Sequence, residues 1–420
     1  MANSSFLSDM MARVAQSGWR RRARAGDTGD TFDLFQRLLG DEGEASGLVT
    51  AMQALAQFEA HSPEDKKRLF VKIAEECSVD DAALAKAIAE YTPGDADAAR
   101  RIHYVAEPRS LELIRRLNRV PGATARLVDM RADLLSALRD TPALKGLDMD
   151  FQHLFASWFN RGFLEIRKID WHTPADILEK IITYEAVHEI NGWDDLRQRV
   201  ADPDRRLFAF FHPAMPSDPL IFVEVALTRV IPAAIDAIIR SDRDRISPTE
   251  ATTAVFYSIS NCQKGLRGIS FGNFLIKQVV AELQAELSNL KTFVTLSPVP
   301  GLRKWAESRP DMLTPEDLAA IDQEDGPSFD DARRIAARYL LRARRPHGSA
   351  HDPVAHFHLG NGATLHRVHA AADLSPNGRA NSWGVMVNYL YDGSSIEANH
   401  QAYATDHTIS ASAEVRKLAD

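Results

Sequence analysis

Apolar residues in the first 165 positions recur at intervals of three and four, as in Leu34, Phe35, Leu38 and Leu39 and again in Leu111, Leu113, Ile114 and Leu117. That spacing lays one apolar stripe along a helix. Strand-like alternation is absent, so this part is predicted to be a helical domain. Ser62-Pro63-Glu64-Asp65 carries a helix start: a capping hydroxyl, proline at the first helical position and acids in the first turn. Thr141-Pro142 reads as another. Near Ile166 the texture changes. Thr173-Pro174 opens a helix through about Ala186. The runs Leu207–Phe211 and Pro219–Leu227 follow as strands joined in a hairpin by the turn-rich His212–Asp218. Helix-like sequence occupies 230–241.

From Thr253 to Pro300 the pattern reads strand, glycine loop, helix, strand. The first strand is Thr253-Ala-Val-Phe-Tyr-Ser-Ile-Ser260 and the loop is Gln263-Lys-Gly-Leu-Arg-Gly-Ile-Ser-Phe-Gly272. Leu275, Val279, Leu283 and Leu287 stripe the helix over 273–288, and Phe293-Val-Thr-Leu-Ser-Pro-Val-Pro300 closes the unit. Caps at Thr314 and Ser328 announce two more helices. Residues 351–393 are expected to mix loop and strand, and the polar tail beyond Asp392 to be peripheral. The predicted class is α+β: a helical domain over 1–165, with 1–26 as a flexible lead, then a mixed-sheet α/β domain over 166–420.

Composition changes this picture little. At 420 residues with 45% hydrophobic and 26% charged side chains the chain has the balance of an ordinary two-domain globular protein. A net charge of -8 argues against binding nucleic acid or an anionic membrane. No run reaches the ~18 apolar residues a spanning helix needs. The two cysteines, Cys77 and Cys262, suit a reducing compartment and leave no disulfide framework. Residues 1–26 are rich in arginine, which fits either an organelle transit segment or a bacterial N-terminus.

Three places could carry chemistry. A glycine loop feeding a helix presents backbone N–H groups and the positive end of the helix dipole, where a phosphate can sit. The loop is neither a P-loop nor a dinucleotide fingerprint, and a plain strand-to-helix turn would look the same. Six of the 14 histidines, His347, His351, His356, His358, His366 and His369, fall close together. On a strand His356 and His358 would share a face, as metal ligands or as acid–base groups. Ser297, in Leu296-Ser-Pro-Val-Pro-Gly301, lacks the G-x-S-x-G elbow of a hydrolase. By pattern alone it would cap a helix before Pro298.

Gln263, Leu266 and Gly268 approximate the Q/R-x-x-G-x-G/A loop of the acetyl-CoA-dependent N-acetyltransferase (GNAT) superfamily, which holds the pyrophosphate of coenzyme A. Several longer segments resemble the malonyl-CoA decarboxylase family: Phe256–Ser260 with Gln263–Gly268, Leu296–Gly301, Asp352-Pro-Val-Ala-His-Phe-His-Leu-Gly-Asn-Gly362 and Val387-Asn-Tyr389. Tyr184-Glu-Ala-Val-His188 and Val225-Ala-Leu-Thr228 add to them. The resemblance runs in one order over roughly residues 30–400. It implies a helical N-terminal domain, a GNAT-like catalytic domain, malonyl-CoA as substrate with acetyl-CoA as product, a dimer or tetramer, and no metal, biotin or organic cofactor.

Carried across by motif, the family's catalytic serine falls on Ser297 and its histidine on His358. Its malonyl-CoA loop falls on Arg267, Gly268, Ile269, Ser270, Phe271, Gly272 and Asn273. Ser270 stands where some members have glutamate, so this chain lacks that acid partner for the histidine. The chemistry of these residue types gives the expected roles: Ser297 holds the departing carboxylate, and His358 supplies or relays a proton to the enolate carbon. A GNAT-type acyltransferase and a non-catalytic CoA-binding scaffold are the alternatives. The expected compartment is a bacterial cytoplasm, with an organelle matrix as the other reading.

Overall fold

The computed structural model describes residues 29–40, 43–269, 271, 275–324 and 326–420. The expected flexible lead at 1–26 lies outside them, as do Ser270, Gly272 and Asn273. The described residues form two compact units. One holds residues up to Leu164 together with His212–Pro216 and 263–269, and the other holds the remainder.

The first unit is helical, as its periodicity predicts. Among the described residues its α-helices are α1 (Thr31–Leu39), α2 (Glu44–Ala60), α3 (Pro63–Glu76), α4 (Asp81–Ala89), α5 (Ala96–Val105), α6 (Arg109–Leu117), α7 (Ala123–Leu138) and α8 (Lys145–Trp158). Ser62 caps α3 by accepting a hydrogen bond from the Asp65 N–H, with Pro63 at the first position. At Thr141-Pro142 the chain makes only a single 3-10 turn before α8, and Thr141 makes no side-chain cap. Phe35, Phe70, Leu117, Leu127, Leu134 and Phe155 are fully enclosed in the core.

A buried ion pair sits in that core. Arg131 on α7 is 1% exposed; its Nε donates to Asp148 on α8 at 2.9 Å. Its Nη1 donates to the carbonyls of Gly265 at 2.6 Å and Arg267 at 2.9 Å. Here α7 and the glycine loop meet backbone to backbone: a Cβ on Gly265 would lie 1.8 Å from the Val128 carbonyl oxygen. Only glycine fits there.

The second unit is built on one mixed sheet. Its strands are β1 (Glu165–Ile169), β2 (Arg205–Phe211), β3 (Ile221–Thr228), β4 (Thr253–Asn261), β5 (Thr292–Thr295), β6 (Ser297–Pro298), β7 (Thr364–His369) and β8 (Met386–Leu390). Spatial order is β1-β2-β3-β4-β5-β8-β6, with β7 also on β8. The predicted β2–β3 hairpin is present and antiparallel. Among the described strands only β4 and β5 pair in parallel, and their ladder stops at Phe256↔Thr295 while β4 continues to Asn261. β6 instead pairs with β8, Ser297 opposite Val387. Burial of β3 and β4 is nearly unbroken, so both sheet faces are covered.

The helices of this unit are α9 (Ala175–Tyr184), α10 (Trp193–Ala201), α11 (Asp236–Ile239), α12 (Leu275–Glu286), α13 (Leu302–Ser308), α14 (Pro315–Ile321), α15 (Phe329–Arg342), α16 (Pro353–Gly360), α17 (Pro376–Ser382), α18 (Ile396–Asp406) and α19 (Ala413–Ala419). Thr314 and Ser328 cap α14 and α15 as expected. Three expectations are corrected. The helix-like 230–241 yields only the four residues of α11. Residues 353–360 form a helix rather than loop or strand, because Asp352 caps two N–H groups and Pro353 fixes the first position. The polar tail is not peripheral: Val415 is fully buried, and the Leu365 and Ser412 N–H groups bond Ser410 and Leu365 carbonyls at 2.9 Å each. A few well-placed apolar side chains anchor it, which its average polarity conceals.

Among the described residues no helix is long and apolar enough to cross a membrane. Replacing Arg131 by methionine should leave Asp148 as an uncompensated buried charge and lower stability by about 3–5 kcal/mol. Chemical denaturation reads this directly, and an unchanged midpoint would refute the role given to this ion pair.

Candidate active site

Ser297 and His358 lie far apart in sequence and meet in the second unit. β5 ends at Thr295, and Ser297 opens β6 against β8; it is a strand residue and not the helix cap its Pro298 neighbour suggested. His358 lies near the end of α16. Ser297 Oγ and His358 Nε2 are 3.2 Å apart, with the two residues 5% and 2% exposed.

The surrounding bonds set which atom carries which proton. Ser297 Oγ donates to Thr295 Oγ1 at 2.8 Å. Its one proton is thereby committed, so toward His358 it accepts, and Nε2 is the protonated ring nitrogen. Nδ1 then accepts from the Tyr391 hydroxyl, 2.7 Å away. Burial holds the Tyr391 phenol far above its usual pKa, so it stays a donor. Burial alone pushes His358 down to about 3, and the imidazole is neutral at physiological pH. The Tyr391 hydroxyl holds the ring at Nδ1.

Three side chains fix this pair. Tyr389 stacks on His358 with ring centroids 4.6 Å apart and 23° between planes. Thr295 is gripped from β8, where the Tyr389 N–H donates to its Oγ1 at 3.1 Å and Asn388 Nδ2 to its carbonyl at 2.7 Å. His369 Nε2 meets Asn388 Oδ1 at 2.5 Å, so this histidine serves the scaffold. The helix turns His356 away from His358, toward the Tyr403 hydroxyl at 2.8 Å. The shared face expected of a strand therefore does not exist. Among the described residues no three His, Cys, Asp or Glu side chains gather as metal ligands would. Both cysteines are buried free thiols.

The glycine loop belongs to the first unit. Lys264–Leu266 make one 3-10 turn, and Gly268 sits at φ +83°, where glycine is favoured. Arg267 and Gly268 are exposed, while Ile269 and Phe271 are buried. Ser270, Gly272 and Asn273 fall outside the described residues. Met149, Gln152, His153, Ala156, Gly268 and Ile269 line an open cavity of about 420 Å³. The segment Tyr184–His188 is tied to β4, since Glu185 accepts hydrogen bonds from Ser258 at 2.8 Å and Ser260 at 3.1 Å.

A family model described as the malonyl-CoA decarboxylase C-terminal domain matches residues 162–420, and one for the family's N-terminal domain matches 77–159. The chain belongs to the malonyl-CoA decarboxylase family. It is 36% identical to mitochondrial malonyl-CoA decarboxylase of Anser anser anser over 75% of this chain and 70% of that protein. The crystal structure of malonyl-CoA decarboxylase from Rhodopseudomonas palustris superposes with a TM-score of 0.89 at 49% identity, covering 92% of this chain and 98% of that one. That from Agrobacterium vitis gives 0.86 at 47% identity, covering 93% and 100%. The family expected from the motifs is the family found, and with it the enzyme class, a carbon–carbon lyase.

Sequence reasoning did not reach Thr295, Tyr391, Asn388 or Arg131. Tyr389 and Asn388 were inside the quoted Val387–Tyr389 motif, yet nothing in it says which of its side chains touches histidine. Tyr391 lies just past the end of β8, two residues after Tyr389, and both rings meet His358.

The depressed value of His358 has a consequence for stability. In the unfolded chain the ring takes a proton near 6.5, in the fold only near 3. Between those values the unfolded state binds more protons, so stability is complete above about 6.5 and falls as pH drops toward 3. A His358→Phe variant, which has no such titration, should show a shallower acid decline of Tm; identical slopes would refute this.

Proposed function

We propose that Ser297 and His358 carry the conversion of malonyl-CoA to acetyl-CoA and CO2 in this chain. The observation behind this reading is their buried 3.2 Å approach, with His358 neutral and Nε2–H turned toward the serine. Cleavage of the bond between the methylene carbon and the carboxylate releases CO2 and leaves the electron pair as a thioester enolate. With substrate bound, Ser297 turns its hydroxyl proton from Thr295 to the carboxylate and holds that C–C bond perpendicular to the thioester plane, so that the developing charge delocalises.

The enolate oxygen needs donors that are already aimed. Past Phe256, β4 runs on without the β5 ladder. Backbone N–H groups along that opened edge are the donors this reading assigns to the oxygen, usually the largest contribution to such catalysis. His358 then gives its Nε2 proton to the carbon as Nδ1 takes one from the Tyr391 hydroxyl. One N–H and one O–H bond break while one C–H and one N–H bond form. Solvent later restores the phenol proton. A neutral imidazole suits this task, because a fixed positive charge beside the carboxylate would stabilise the substrate more than the transition state.

The loop from Arg267 to Asn273 is the assigned holder of the CoA moiety, by its match to the family motif. Assembly is read as a dimer or tetramer, as the family resemblance implies. The higher identity to the bacterial relatives favours a bacterial cytoplasm over an organelle matrix.

Purified protein given malonyl-CoA alone, with a chelator and no amine acceptor, should yield CO2 and acetyl-CoA in equal amounts. Absence of CO2 would sink the reading, and loss of activity with chelator would point to a metal. Ser297→Ala and His358→Ala should each cost about 10²–10⁴-fold in kcat while the protein stays folded. Near-normal turnover in both would remove the pair from the mechanism. Tyr391→Phe should lower kcat less than His358→Ala, since it deletes only the relay behind the ring.

A further inference from the structure

Asp352 is among the most enclosed acids of the second unit, 2% exposed, and it touches neither Ser297 nor His358. It nonetheless joins the elements that carry them. Its Oδ1 accepts from the Val354 and Ala355 N–H groups at 2.9 Å each, capping the helix on which His358 stands. Its Oδ2 accepts from the Tyr339 hydroxyl of α15 at 3.2 Å. The Gly301 backbone, four residues beyond Ser297, lies beside this carboxylate and favours its charged form.

The joint is packed to contact. A Cβ on Gly301 would lie 2.4 Å from the Tyr339 hydroxyl and 3.6 Å from Asp352 Oδ2. The Tyr339 ring rests on Trp305 of α13, the helix that follows Gly301, with centroids 4.9 Å apart. Burial raises the Asp352 pKa while its three donors and the Gly301 backbone pull against that rise. A carboxylate can accept from a helix end with one oxygen and from a neighbouring hydroxyl with the other.

We infer that Asp352 is a positioning residue for the reaction: it ties the turn after Ser297 to the first turn of the His358 helix and so holds the serine and imidazole in register. The two catalytic groups come from a short strand and from a helix of eight residues, neither able to fix its own orientation. A displacement of about 1 Å between reacting groups can cost about 10²-fold in rate. Substrate binding elsewhere would be untouched.

This inference rests on the reading that Ser297 and His358 are catalytic, and one experiment separates the two. Asp352→Asn keeps the shape and can still cap α16, but it turns a donor toward the Tyr339 hydroxyl and the Gly301 backbone. It should lower kcat by about 10²-fold with KM for malonyl-CoA within about twofold. Placed in a His358→Ala background, the same change should add almost nothing, because groups acting as a unit are not additive. A role in bulk stability alone would give equal losses in both backgrounds.

Folded Asp352→Asn with wild-type kcat overturns the inference, as does full additivity. If His358→Ala and Ser297→Ala are themselves fully active, the catalytic reading falls instead. Should Asp352→Asn not fold, Tyr339→Phe decides: it keeps the ring on Trp305, removes one donor, and should cost about two- to tenfold in kcat. An unchanged kcat there overturns the inference.

Discussion

A neutral imidazole buried between two hydroxyls is the interaction on which the second unit is organised. His358 has no charge to assist it and none to balance, so its orientation must come from hydrogen bonds whose direction is set elsewhere. That requirement propagates outward. Thr295 must accept from Ser297, hence Thr295 must be held; Asn388 and the Tyr389 backbone hold it from β8. β8 in turn can serve both because it pairs with β5, β6 and β7 at once. Burial supplies the rest: it keeps His358 unprotonated and Tyr391 protonated.

The break between β5 and β6 is the geometric price of this arrangement. β5 is already paired with β8 at Val294↔Leu390; after Thr295 the chain gives up the β4 ladder and keeps to β8, where Ser297 lies opposite Val387. Opening a sheet at a functional site is a familiar compromise between ladder bonds and access. The first unit shows a related device, where Arg131 spends a buried charge on two loop carbonyls.

Much of the fold was legible in residue order. Periodicity found the helical first part, and cap residues marked the starts at Ser62, Thr314 and Ser328. Misreadings came where local and tertiary preferences compete. His356 and His358 flank aromatic residue Phe357 in a stretch that suits a strand, but Asp352 and Pro353 outweigh this by satisfying and preorganising the first helical turn. Ser297 before Pro298 looks like a cap, yet strand pairing with Val387 takes it. The tail hid its anchors because burial of Tyr403, Ile409 and Val415 depends on what they meet.

Residue order by itself determined the helical and mixed-sheet parts, the family, and the serine and histidine worth testing, because spacing, caps and motifs are properties of neighbouring positions. It also showed that an acid partner at Ser270 was lacking. Only the tertiary structure decided what surrounds the imidazole: Tyr391, just past the end of β8, bonds its Nδ1, and Asp352 caps the helix that carries it. The physical reason is that a hydrogen bond and a burial-shifted pKa depend on distances in space. Sixty-one residues of chain separate Ser297 from His358, and nothing along those residues encodes the 3.2 Å between them.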